Sequence, residues 1–87
     1  MMSEFKRGDN LRFIANYLYA NPGSRYTDIL RALCEFRGKE YNRGMYCEYF
    51  RSSGPKWLRL GYGTTHWKKE AGVWWLRPKG MVHVDLR

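Results

Sequence analysis

Acidic residues are scarce in this chain: eight Asp and Glu stand against sixteen Lys and Arg, a formal net charge of +8 over 87 residues. That balance points to a polyanionic partner. Cysteine is scarce too. Cys34 and Cys47 lie thirteen positions apart, each within a predicted helix. They form no disulfide framework, and a reduced, cytoplasmic setting fits them. Val73–Leu76, at four residues, is as long as any apolar run, so no membrane span is expected. The N-terminus lacks the apolar run of a signal peptide.

Chemistry-bearing residues are few. Cys34, Cys47, His66 and His83 match no zinc spacing. Two histidines and scattered carboxylates build no nucleophile, base and orienter, so catalysis is not expected. Gly61 and Gly63 lack the third glycine and the strand-to-helix context of a dinucleotide loop. No cofactor is implied.

What the chain does have is aromatics, 17% of its residues, enough to fill the core of one small domain. It also has uneven charge. Residues 1–23 carry three basic and two acidic groups, net +1. Residues 24–54 carry six and four, net +2, and residues 55–87 carry seven and two, net +5. The positive field therefore concentrates towards the C-terminal end.

Residues 1–8 read as a flexible N-terminus ahead of a domain over 9–87. Gly8, Asp9 and Asn10 offer N-cap chemistry, and Leu11, Ile14, Ala15 and Leu18 follow at helical spacing. The first helix is expected over 9–20, ended by Asn21-Pro22-Gly23. Ser24-Arg25-Tyr26 leaves room for one minimal strand. Thr27 then reads as the N-cap of a second helix over 27–37, with Asp28 suiting its positive end. Ile29, Leu30, Leu33 and Phe36 form the apolar face, Cys34 packs as a small hydrophobe, and Gly38 closes the helix.

A third helix is expected over 42–52, with Asn42 as its N-cap. Met45, Tyr46, Tyr49 and Phe50 fall on one face. Arg43, Cys47 and Arg51 fall largely on the other, at i, i+4 and i+8. Residues 56–60 fit either a helix end or an extended piece. After Gly63 the period becomes two. Thr64 to Lys69 and Val73 to Arg77 read as strands joined by Glu70-Ala71-Gly72, a three-residue turn compatible with a bulge. Both faces of the second strand are apolar. The expected core is Leu11, Ile14, Leu18, Ile29, Leu33, Tyr46, Phe50 and Trp75.

This order of elements resembles the winged helix-turn-helix superfamily of prokaryotic or phage type. Val73-Trp74-Trp75-Leu76-Arg77-Pro78-Lys79-Gly80 is similar to its second wing strand, an aromatic-rich strand running into a Leu-x-Pro-x-Gly exit. Tyr26-Thr27-Asp28-Ile29-Leu30-Arg31-Ala32-Leu33 resembles its second helix. The resemblance covers residues 9–84. The longer stretches before Asn42 and between Ser52 and Gly63 depart from a minimal member. It implies an α+β winged helix: three helices, a two-stranded antiparallel wing and a short third strand near 24–26.

The resemblance implies binding to double-stranded DNA, usually in transcription control, with the third helix in the major groove and the wing on the backbone. Arg and Lys neutralise phosphates, and helix side chains read base edges. The candidate DNA-binding residues are therefore Asn42, Arg43, Cys47 and Arg51 on that helix, with His66, Lys68 and Lys69 on the wing. Arg25 and Thr27 join them at the start of the second helix, where free N–H groups favour phosphate. A palindromic site would require a homodimer. A small basic chain without a sensor domain also suggests a phage or mobile-element protein.

A second reading, from another class, is a winged-helix interaction module or inhibitor that docks on a host protein. Trp57, Trp67, Trp74 and Trp75 would be its anchors, since exposed Trp is typical of interfaces. A third reading is single-strand or RNA binding by stacking on Trp and Tyr. The placement of the tryptophans discriminates: burial of all four favours DNA, and a contiguous exposed aromatic patch favours a protein partner.

Overall fold

A computed structural model describes residues 8–51, 55 and 61–85. Most of the expected N-terminal tail, Trp57 and the ambiguous piece 56–60 lie outside the described residues. The architecture is mixed helix and antiparallel sheet, in agreement with the expected α+β class. Among the described residues, no helix is long and apolar enough to cross a membrane.

The first two helices form where the 3.6-residue period places them. Helix α1 spans Asp9–Ala20 and buries Leu11, Ile14, Ala15 and Leu18. The Asn21 backbone and side-chain N–H groups both donate to the Tyr17 carbonyl, and Pro22 follows. Helix α2 spans Tyr26–Phe36 and buries Ile29, Leu30, Leu33 and Cys34. It begins one residue earlier than expected. Arg25 is its N-cap and no side chain caps it, so Thr27 lies inside the first turn. At the other end Gly38 takes φ +71°. Its N–H donates to Glu35 O and that of Lys39 to Cys34 O, at 3.1 and 2.8 Å, a Schellman closure.

The expected third helix over 42–52 does not form as an α-helix. Residues 43–46 are a turn, and Cys47–Tyr49 makes a single 3-10 turn. Three local features oppose the helix. Asn42 Oδ1 accepts the Gly44 N–H at 2.9 Å, so Asn42 closes a turn instead of capping a helix. Gly44 is itself a poor helix former. Tyr46 sits at φ +63°, in the left-handed region that interrupts a helix. The apolar periodicity is nonetheless used, since Phe50 is buried and Tyr46 and Tyr49 pack against the core.

Strand β1, Trp67–Glu70, pairs antiparallel with β2, Val73–Leu76, in the register Trp67 with Leu76 and Lys69 with Trp74. The tip is a two-residue turn rather than a bulged three-residue one. Ala71 and Gly72 both have positive φ, +57° and +80°, the signature of a type I′ turn. Thr64 and Thr65 belong to a one-turn helix, α3, Tyr62–Thr65, not to the strand. There Thr65 Oγ1 donates to the Gly61 carbonyl at 2.7 Å, a local bond that competes with strand pairing.

The minimal strand expected near 24–26 is a single bridge. Ser24 and Trp74 exchange N–H to O bonds of 3.2 and 2.8 Å, while Tyr26 has already entered α2. This places β2 between Ser24 and β1. A 3-10 segment, Pro78–His83, then returns the chain to α1, where Asn16 Oδ1 accepts the Asp85 N–H at 2.8 Å.

The core differs from expectation at the hairpin. Trp67 is fully buried and Trp74 is 7% exposed, whereas Trp75 is half-buried on the opposite face of β2. Trp75 instead lies over Gly23, where an added Cβ would come within 3.0 Å of the indole. Tyr46 packs at the margin, not inside.

Candidate nucleic-acid interface

The turn that replaces the third helix is pinned to the hairpin by one bond. Trp67 Nε1 donates to the Tyr49 carbonyl at 2.9 Å, from an indole wholly removed from water. A second close approach holds the chain just beyond. A Cβ on Gly63 would stand 2.3 Å from Phe50 O and 2.9 Å from Arg51 O, so only glycine lets α3 meet the Phe50–Arg51 backbone. Together these contacts set Arg51 against the hairpin.

Two adjoining depressions result. One, of about 260 Å³, is lined by Tyr26, Arg43, Cys47, Phe50, Arg51, Lys69 and Trp74. The other, of about 450 Å³, is lined by Phe50, Arg51, Gly63, Thr64, Lys68, Lys69, Trp74 and Arg77. They share Phe50, Arg51, Lys69 and Trp74. Among the described residues, five cations line them and no carboxylate does. Negative charge is close by all the same: Glu70 Oε1 is 3.5 Å from Lys68 Nζ. Glu48 lies near enough to act on Tyr26.

The floor is aromatic. Phe50 meets Tyr26 edge-on at 5.3 Å and Trp74 at 5.1 Å. The Tyr26 hydroxyl donates to the Arg43 carbonyl at 3.3 Å. Burial, followed by the neighbouring Cys47 and Tyr41, pushes the Tyr26 phenol above its ordinary value of 10.0, so it remains a neutral donor.

Of the residues expected to meet DNA, Arg43, Cys47, Arg51, Lys68 and Lys69 come together here. Asn42 is exposed beside them but is engaged in its own turn. Arg25 and Thr27 stand at the start of α2 without lining either depression, and the residue between them, Tyr26, does. Arg77 and Tyr26 went unnoticed in the sequence. Arg77 was visible as a cation leaving β2, but Tyr26 gave no signal apart from its place at a helix start.

His66 lies elsewhere. Its ring stacks on His83 at 5.2 Å and meets Tyr62 edge-on at 4.8 Å, and its Nδ1 is 2.8 Å from Thr65 Oγ1. Burial, then the adjacent His83 and Lys79, holds its pKa below the ordinary 6.5. As pH falls, the unfolded chain therefore takes up this proton before the folded one does. The native state keeps its full stability above 6.5 and loses some as pH drops from there through the lower folded value. Urea midpoints measured at about pH 7.5 and about pH 5.5 should show that loss, and His66→Gln should shrink it. An unchanged difference in His66→Gln would assign the acid sensitivity to other groups.

Cys34 is buried on α2, and Cys47 is half-buried on the groove wall. Among the described residues, no three His, Cys, Asp or Glu side chains gather as a metal ion would require. No protein-family model, curated protein sequence or solved structure matches this chain.

Proposed function

We propose that the chain is a small DNA-binding protein that holds duplex DNA in the groove between the Cys47–Tyr49 turn and the hairpin. One observation carries this reading: Arg43, Arg51, Lys68, Lys69 and Arg77 line two adjoining depressions that, among the described residues, no carboxylate lines. A row of cations on one face neutralises successive phosphates and releases their counterions. The winged-helix reading is part of the proposal. It draws support from the Ser24 bridge, which sets β2 between that strand and β1. Contact then comes from a short turn and the wing, not from a long recognition helix. A role in transcription control accords with this reading. Trp67 and Trp74 are buried, which removes two of the four anchors that docking on a protein would use, while Trp75 is half-buried and Trp57 lies outside the described residues.

Cys47 is a native reporter of the site, because it is a half-buried thiol on the groove wall while Cys34 is buried. Duplex DNA should slow alkylation of Cys47 by iodoacetamide in proportion to occupancy. DNA that binds without protecting Cys47 would place the interface on another face.

A further inference from the structure

We propose that the Pro78–His83 segment is an acid-released strap: once His66 and His83 are both protonated, it parts from the end of α3 while the rest of the fold stays closed. The two histidines belong to different elements. His66 caps the end of α3 and His83 ends the segment, and their ring centroids lie 5.2 Å apart with planes 22° from parallel. Tyr62 meets the His66 ring edge-on at 4.8 Å, and Thr65 bonds it. The neighbours that act on its charge, His83 and Lys79, are both basic and both on the segment. His83 also borders Asp9, Arg12 and Asp85 in the depression beside α1. A proton on His83 therefore has two carboxylates and one guanidinium on the α1 side, and a second imidazole on the other.

The hydrogen bonds fix where acid acts. The Thr65 hydroxyl donates to the Gly61 carbonyl, so its oxygen accepts the His66 Nδ1–H. The neutral ring keeps its lone pair on Nε2, and acid adds a proton there. Burial, then His83 and Lys79, opposes that proton in the docked state. Parting from the segment removes the last two, so the released state binds the proton more readily. By linkage, release is favoured as pH falls from 6.5 through the lower docked value. Release also costs less than unfolding. Of the segment's residues Gly80 alone is buried and Val82 is 77% exposed, whereas α1 and α2 each bury four side chains. Two contacts with His66 must open. Its carbonyl accepts the Arg77 N–H at 2.9 Å, and it sits where a Cβ on Gly80 would collide. Arg77 also lines the larger depression, so release frees the backbone of one groove cation.

Backbone 15N–1H heteronuclear NOE values of the full chain, measured without DNA at about pH 7.5 and about pH 5, test this across the range where histidine titrates. The values for Gly80, Met81 and Val82 should drop at the lower pH, and those of α1 and α2 should hold. Lys79→Ala takes one opposing charge off the segment and should move the loss to lower pH. His66→Gln should keep the segment ordered at both. A segment as ordered at the lower pH as at the higher would overturn the proposal. So would a loss shared equally by α1 and α2, because acid would then act on the whole fold, or a loss that His66→Gln leaves unchanged. Circular dichroism first establishes that the variants fold, and the comparison of the two pH values on the unaltered protein decides without them.

Discussion

Trp67→Ala should cost about 3–5 kcal/mol of stability, the range for emptying a large aromatic site in a core. Trp67 is wholly buried, with Phe50 and Tyr62 against it at 5.8 and 6.1 Å between ring centroids. Its loss removes that packing and also leaves the Tyr49 carbonyl without the donor that reaches it at 2.9 Å. Against a total of roughly 4–13 kcal/mol for a domain of this length, that loss is a large share of the stability. Trp67→Phe separates the two contributions. It keeps most of the apolar area and gives up the bond, so its cost should be about 1–3 kcal/mol. Urea unfolding followed by circular dichroism measures both. A loss under about 1 kcal/mol for Trp67→Ala would mean that the hairpin does not pack on the Cys47–Tyr49 turn as described.

The second large effect concerns the groove. Arg51 and Lys69 line both depressions, so they touch whatever lies along either. Replacing both by alanine should weaken duplex binding on the order of a hundredfold, counting roughly 1.5 kcal/mol for each charged contact. Both side chains are exposed, so folding should be little changed. Arg25 and Lys79 are exposed and line neither depression, and the same substitution there should do much less. Equal losses in the two pairs would mean that net charge, and not this groove, attracts the DNA.

Much of this arrangement was legible in the sequence, and the failures have local causes. Helices α1 and α2 and the hairpin follow from periodicities of 3.6 and two that no nearby residue contradicts. The third helix had the period without the propensity. Gly44, the Asn42 turn and the left-handed Tyr46 break the backbone while Tyr49 and Phe50 still pack inward. Which tryptophans are buried was also hidden. Both faces of β2 are apolar, so alternation alone does not choose between Trp74 and Trp75. The choice is made by distant partners: Phe50 against Trp74 on one face, Gly23 under Trp75 on the other. The cationic side chains were legible as a charge excess, but their convergence depends on the Trp67 bond to Tyr49, which spans 18 positions. His66 was misplaced for a simpler reason. It sits at the end of α3, before the strand begins, and turns towards His83.

The most direct test of the central claim is the salt dependence of duplex DNA affinity, compared between the unaltered protein and the Arg51→Ala, Lys69→Ala double variant. Five phosphate contacts predict a slope of log affinity against log salt of about −4.5, and three contacts predict about −2.7. A steep slope that flattens by roughly two units in the double variant is the expected result. A slope near zero in the unaltered protein, or one that the double substitution leaves unchanged, would contradict DNA binding through this groove.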